Sequence, residues 1–289
     1  MDIRTMQYYL AVVREGTISA AAEALHVAQP SLSRQMKELE DELGVTLFER
    51  GNRRISLTEE GMVLRKRAEE MVRLMQMTEE EISQVRNNYS GTISIGAGES
   101  QAFHYISRAA SELSEEYPDI RFSVTSGDTQ DLVEELNRGL IDLALIFSDT
   151  DTRQYHSIPM PVSDEFGVLM PQNDILAGKQ RISAEDLKNR PVIISRASEP
   201  YLRGSDYLSG LHVIGTYTLI YNASLMVEDG LGLALCFDKL VNTTGSPLAF
   251  RPLAPELKVT GKLIWKKYQV LSPVVQLFID RLKESISKQ

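Results

Sequence analysis

From residue 4 to residue 14 the apolar positions recur at helical spacing, which predicts an amphipathic helix. A second helix is expected through Ala20, Ala21 and Ala22 to Leu25, with Thr17 or Ser19 placed to cap it. His26, Val27 and Ala28 make a short break. Pro30 then suits the first turn of a third helix, because proline has no N–H and the first turn leaves such groups unpaired. Gln29 before it is held out of the helical region, and Gly44 stands just past the far end. Leu32, Met36, Leu39 and Leu43 follow a helical repeat, which predicts one buried face and leaves Ser33, Arg34 and Lys37 on another. Two helices joined by so short a break, the second polar at its exposed N-terminal end, suit the reading of base edges in a DNA major groove. An ordinary helical hairpin would carry the same turn chemistry.

The next residues favour the DNA reader. Between Leu47 and Leu57 apolar and polar residues alternate around the turn signal Gly51-Asn52, so a two-stranded wing is expected with Arg53 and Arg54 at its tip. Thr58 can cap a long helix whose first turn holds Glu59 and Glu60, where the helix dipole favours acid. Leu64, Ala68, Met71, Met75, Thr78, Ile82 and Val85 form a heptad-like seam that suits a partner helix. A dimer is implied, with packing onto the helix's own chain as the alternative. The stretch from Asn87 to Gly91 breaks the helix and marks a domain boundary.

Beyond Gly91 short β-rich runs alternate with helices, the pattern of an α/β fold with parallel strands. Strands are expected at 92–96, 120–126 and 141–147, with helices from about Ser100 and Thr129. A further set runs through 166–170, 192–194 and 231–235. The chain then returns at 263–265, and Ser272-Pro273 opens a terminal helix. Two lobes follow, with the chain crossing between them more than once.

Composition narrows the function. The 289 residues, 43% hydrophobic and 25% charged, describe an ordinary globular chain with room for two or three cores. A net charge of -9 argues against coating nucleic acid non-specifically, but residues 1–58 are nearly balanced, with seven Lys and Arg against eight Asp and Glu. There Arg50, Arg53 and Arg54 form a small basic patch opposed only by Glu49. No basic leader opens the chain and no apolar run approaches the roughly 18 residues of a membrane span, so a cytoplasmic location without membrane contact is expected. One cysteine, Cys236, and four scattered histidines predict no disulfide framework, no metal and no cofactor. Cys236 itself reads as an inert core residue. With neither a Gly-x-Ser-x-Gly elbow nor a His-Glu-x-x-His pair, and with His104, His156 and His212 in separate segments, no enzyme is expected.

The run Ala20-Ala21-Ala22-Glu23-Ala24-Leu25-His26-Val27-Ala28-Gln29-Pro30-Ser31-Leu32-Ser33-Arg34-Gln35, continuing through 43–50 and 57–61, resembles the LysR-type transcriptional regulators. The C-terminal part resembles them at Gly139-Leu140-Ile141-Asp142, at Gly230-Leu231-Gly232-Leu233-Ala234 and at Trp265-Lys266 with Ser272-Pro273. The resemblance implies an α+β multidomain chain: a winged helix-turn-helix over 1–58, a dimerisation helix over 59–88, and a two-lobed effector domain of the periplasmic-binding-protein type over 91–289. Lobe I takes about 91–161 and 265–289, and lobe II about 162–264. It implies that Gln29, Pro30, Ser33 and Arg34 face bases, that Ser31 and Lys37 lean toward phosphates, and that the wing arginines approach the minor groove. Arg34 can read guanine, Gln29 adenine, and Pro30 a thymine methyl. The implied partners are a double-stranded operator, a small-molecule effector and a second copy of the chain, assembled as a dimer of dimers, with room for a contact with RNA polymerase.

For the effector, a small organic anion is expected, since helix N-termini at the carboxyl ends of parallel strands offer free donors. The candidates in the cleft are Ser100, Gln101, Thr129, Phe147, Ser195, Tyr201 and Tyr221. Ser100, Thr129 and Ser195 read equally as helix caps, and the two tyrosines as core. Arg196 and Arg203 could neutralise a carboxylate, although loop arginines are more often solvated. Gly96-Ala97-Gly98 resembles a dinucleotide fingerprint only in part, because Gln101 stands at the third glycine position. Asp174-Ile175-Leu176-Ala177 departs from the His-Pro-Leu-Ala common in the family.

Overall fold

The computed structural model describes residues 1–50, 55–84, 89–147, 153–198, 202 and 210–287, and the chain divides into two compact units, Met1–Asn87 and Asn88–Gln289. In the first, α1 (Ile3–Glu15), α2 (Ile18–Ala24) and α3 (Gln29–Leu43) precede a hairpin of β1 (Phe48–Arg50) and β2 (Ile55–Leu57) and the long α4 (Glu59–Gln84). Thr17, not Ser19, caps α2, its hydroxyl accepting from Ala20 N–H at 3.1 Å. Gly44 closes α3 in the left-handed conformation at φ 69°. The core gathers Met6, Tyr9, Val12, Ala21, Leu32, Met36, Leu39 and Leu47. Leu43, expected on that face, is exposed; it is the last residue of α3, and the chain turns away at Gly44.

The seam on α4 divides. Ala68 is fully buried in the unit's own core, with Leu64 and Met71 packed against it, because α1 lies along this part of the helix. Over its first half the seam thus follows the alternative reading, packing at least in part onto its own chain. Leu74, Met75 and Thr78 are exposed. Val85 and the side chain of Ile82 lie outside the described residues.

The second unit carries β3 (Gly91–Ala97), α5 (Phe103–Glu116), β4 (Ile120–Ser126), α6 (Thr129–Arg138), β5 (Leu143–Ile146), β6 (Tyr155–Pro171), α7 (Ala184–Leu187), β7 (Pro191–Ser195), β8 (His212–Tyr217), α8 (Ile220–Glu228), β9 (Leu233–Phe237), β10 (Leu248–Pro252), β11 (Lys258–Lys266) and α9 (Pro273–Ser287). The sheet runs β4-β3-β5-β11-β6-β9-β7-β8, with β10 on β6. Pairing is parallel for β3 with β4 and β5 and for β7 with β8 and β9, and antiparallel along β6 and β11. Strand β5, parallel to β3 and antiparallel to β11, is buried at every residue, as a central strand covered on both faces must be.

Strands β6 and β11 connect the lobes. Ile158 and Met160 belong to the core built around α5 and α9, whereas Phe166, Val168 and Met170 belong to the core under β7 and β9. On β11 the change falls between Val259 and Leu263. Gly96 faces α6: a Cβ there would stand 2.6 Å from both Ile141 Cδ1 and Leu132 Cδ2. Its glycine therefore serves close helix-to-sheet packing.

Candidate functional site

The N-terminal unit presents α3 at its surface. Leu32, Met36 and Leu39, each at most 2% exposed, fix the inner face. Gln29, Pro30, Ser31, Arg34 and Lys37 are exposed and Ser33 is half-buried. The free N–H groups of the first helical turn add positive dipole at this end. Arg34 Nε donates to Glu38 Oε1 at 2.8 Å, one turn along the exposed face, so reading a base requires exchanging that weak pair. Glu40 ties the helix to the wing: its Oε1 accepts from Leu47 N–H at 2.7 Å and Phe48 N–H at 3.2 Å. Ile55 N–H donates to Gly16 O at 2.9 Å, which anchors the other strand on the α1–α2 turn. Arg53 and Arg54, and the side chain of Arg50, lie outside the described residues.

In the C-terminal unit a cleft of about 60 Å³ lies between the lobes, at the carboxyl ends of β3, β5 and β7. Thr129, Phe147 and Ser195 line it together. Leu145 and Phe147 come from one lobe, Tyr217, Ile220 and Phe237 from the other, and Glu99 reaches across between them. Glu99 Oε2 accepts from Ile220 N–H at 2.7 Å and so caps α8, whose own N-cap residue Leu219 offers no side-chain bond. Burial raises the Glu99 carboxyl above its ordinary value, and the Ile220 N–H partly offsets this. Burial likewise pushes up the Tyr217 hydroxyl, which donates to Leu235 O at 2.7 Å, and the Cys236 thiol, which stays protonated in the cleft wall.

Other expected residues are placed differently. Ser100 is buried, and its Oγ donates to Asp164 Oδ2 at 2.5 Å; Gln101 N–H donates to Asp164 Oδ1 at 2.9 Å. Gln101 lines a separate, open cavity of about 510 Å³ with His104, Arg108 and Lys258, and its Nε2 donates to Lys239 O at 3.0 Å. Tyr221 is 69% exposed and not part of the cleft lining: Ile220 points inward, and one residue on, a helix has turned by about 100°. Arg196 bonds Asp128 at 2.7 Å and also pairs with Asp131, joining the end of β7 to the start of α6. Tyr201 and Arg203 lie outside the described residues. Glu99, Tyr217, Ile220 and Phe237 went unnamed in the sequence reading. Glu99 adjoins Ser100, which was the one available signal.

A winged helix-turn-helix in one unit and a two-lobed sheet domain with an interlobe cleft in the other define a DNA-binding regulator with an attached sensor-type domain. A family model described as bacterial regulatory helix-turn-helix protein, lysR family, matches residues 3–62, and one described as LysR substrate binding domain matches residues 86–287. The chain belongs to the LysR family, whose members are transcriptional regulators and not enzymes. It is 35% identical over 204 residues to the HTH-type transcriptional regulator BsdA of Bacillus subtilis (strain 168), covering 68% of this chain and 67% of BsdA. A probable RuBisCO transcriptional regulator of Synechocystis is 31% identical over 61% of this chain and 52% of its own length, so this match spans about half of that relative. The LysR family regulator CbnR shares the fold at a TM-score of 0.78 with 18% identity over 99% of both chains. CbnR complexed with its target DNA gives 0.76 with 20% identity over 99% of this chain and 100% of that one. HinK of Pseudomonas aeruginosa, 26% identical over 100% of this chain and 99% of its own, gives 0.56. Among the described residues no helix is long and apolar enough to cross a membrane.

Proposed function

We propose that this chain is an effector-controlled regulator: a small molecule bound between the lobes changes their closure, and homodimers, paired as a dimer of dimers, convert that change into altered seating of α3 on two operator half-sites in the cytoplasm. Gln29, Pro30, Ser33 and Arg34 read bases, Ser31 and Lys37 hold phosphates, the wing arginines Arg50, Arg53 and Arg54 approach the minor groove, and Thr129, Phe147 and Ser195 contact the effector. The observation that carries the sensor half is the cleft itself, lined from both lobes and spanned by Glu99 to Ile220 and by Arg196 to Asp128. A ligand entering there competes with contacts that set lobe closure. The exposed Leu74 and Met75 on α4 support the homodimer.

Genome-wide mapping of bound sites tests the reading, because it yields an operator and its neighbouring genes suggest the ligand. Footprints on that operator are expected to show two half-sites about one helical turn or a multiple of it apart. Their protection or bending should change with metabolites of the adjacent pathway. Identical protection and bending with every such metabolite would overturn the ligand switch while leaving DNA binding in place.

A further inference from the structure

Among the described residues, α5, α6 and α8 each have one of the chain's own carboxylates at or just ahead of the N-terminus. Asp164 accepts from Ser100 Oγ and Gln101 N–H ahead of α5, Asp128 accepts from Asp131 N–H at 2.9 Å at the start of α6, and Glu99 accepts from Ile220 N–H at the start of α8. These are the backbone donors an organic anion would use. Arg196, a cation at the rim, is shared between Asp128 and Asp131. Two carboxylates, Asp128 and Glu99, line the cleft, and Glu99 differs in that its bond to Ile220 engages only Oε2 and no lysine or arginine among the described residues pairs with it in the cleft wall. The rest of that wall is largely apolar and aromatic, with Phe147 and Phe237 rings 5.5 Å apart and Tyr217 beside them.

We propose that the effector is a compact organic cation, a small primary amine with an apolar body, whose ammonium sits on Glu99 and whose body packs against Phe147 and Phe237. The inference rests on the cleft being the effector site and replaces the expected anion. A carboxylate ligand in the cleft would share it with Glu99 and Asp128, a like-charge arrangement. An ammonium instead supplies the missing counter-charge and gains from the aromatic faces.

The test uses the full chain with matched probes: butylamine and benzylamine against butyrate and benzoate, read by thermal shift and calorimetric titration. Both amines should raise the melting temperature and both acids should not. Glu99→Gln should weaken amine binding about 10- to 100-fold, the loss of one charge-assisted hydrogen bond. Ser195→Trp, which fills the cleft, should abolish it, with each variant's unliganded melting curve recording that it folds. Amines without effect, or amine binding that Glu99→Gln leaves unchanged, overturn the inference. If the acids bind instead and Ser195→Trp blocks them, the cation is wrong and the cleft reading stands. If amines bind and Ser195→Trp does not matter, the cleft reading itself falls.

Discussion

The hydroxyl of Tyr9 donates to the backbone carbonyl of Gly61 at 2.6 Å, a fully buried bond that joins α1 to the first turn of α4. Gly61 also lets the first turn of α4 pack against the chain entering β1, since a Cβ there would stand 2.3 Å from Leu47 O. Tyr9→Phe removes that bond and leaves the carbonyl only its helical partner, at a cost of about 0.5–1.5 kcal/mol. Gly61→Ala, which gains helix propensity, should still destabilise by a similar amount through overpacking. Burial pushes the Tyr9 hydroxyl up to about 12 from its ordinary 10. A raised value means that the contribution is full below pH 10 and is lost as pH climbs toward 12. Melting temperatures of wild type and Tyr9→Phe should therefore converge over that interval, and parallel curves would refute the role.

On α3 two kinds of loss should separate. Arg34→Ala should lower discrimination between operator and random DNA by about 1–3 kcal/mol, whereas Lys37→Ala should weaken both evenly and reduce the salt slope of binding by about one. Titrations at several salt concentrations read both quantities. Equal losses on the two DNAs for Arg34→Ala would remove it from base reading.

The local part of this architecture could be read directly from the chain. Pro30, Gly44 and Thr17 act within a turn of their own positions, so the helices they bound were visible, and so was strand 120–126. Long-range determinants were hidden. Pro159 and Pro161 disguised the first half of β6, where pairing with β11 overrides their poor strand propensity. Strand β8 carries little burial before Tyr217 and gave no alternation to detect. Local sequence carries no sign of Glu99 as a cap, because Ile220, whose N–H it accepts, is 121 positions away. The anion expectation drew on helix N-termini read from local sequence; Asp128 caps α6 from the adjoining position, whereas the carboxylates at α5 and α8 come from other segments.

Leu74 and Met75 are 37% and 41% exposed on α4, beyond the stretch that Ala68 anchors to its own unit. Leu74→Glu with Met75→Glu should shift sedimentation equilibrium toward the single chain and leave the melting of the α1–α3 core within about 0.5 kcal/mol, since neither side chain belongs to it. An unchanged mass would place the dimer contact elsewhere.

Asp164 stands on β6 where the strand passes from one lobe's core to the other's, and it holds Ser100 and Gln101, the residues that follow Glu99. Burial raises its carboxyl above 3.8, an effect that the bonds from Ser100 and Gln101 only partly offset. The sign is that of a group favouring its protonated form when folded: its contribution is full below pH 3.8 and lost as pH rises through the elevated value. At neutral pH the fold thus bears the cost of a buried charge. Asp164→Asn removes the charge, while its carboxamide can still accept from Gln101 N–H and donate to Ser100 Oγ. It should be at least as stable as wild type near neutrality and lose the pH dependence above 3.8. Asp164→Ala strands two donors and should cost about 1–3 kcal/mol across the whole range. Melting temperatures from acid to neutral pH distinguish the three proteins. If Asp164→Asn proves as damaging at neutrality as Asp164→Ala, the ionised carboxylate itself holds the start of α5, and Glu99 beside it, in place.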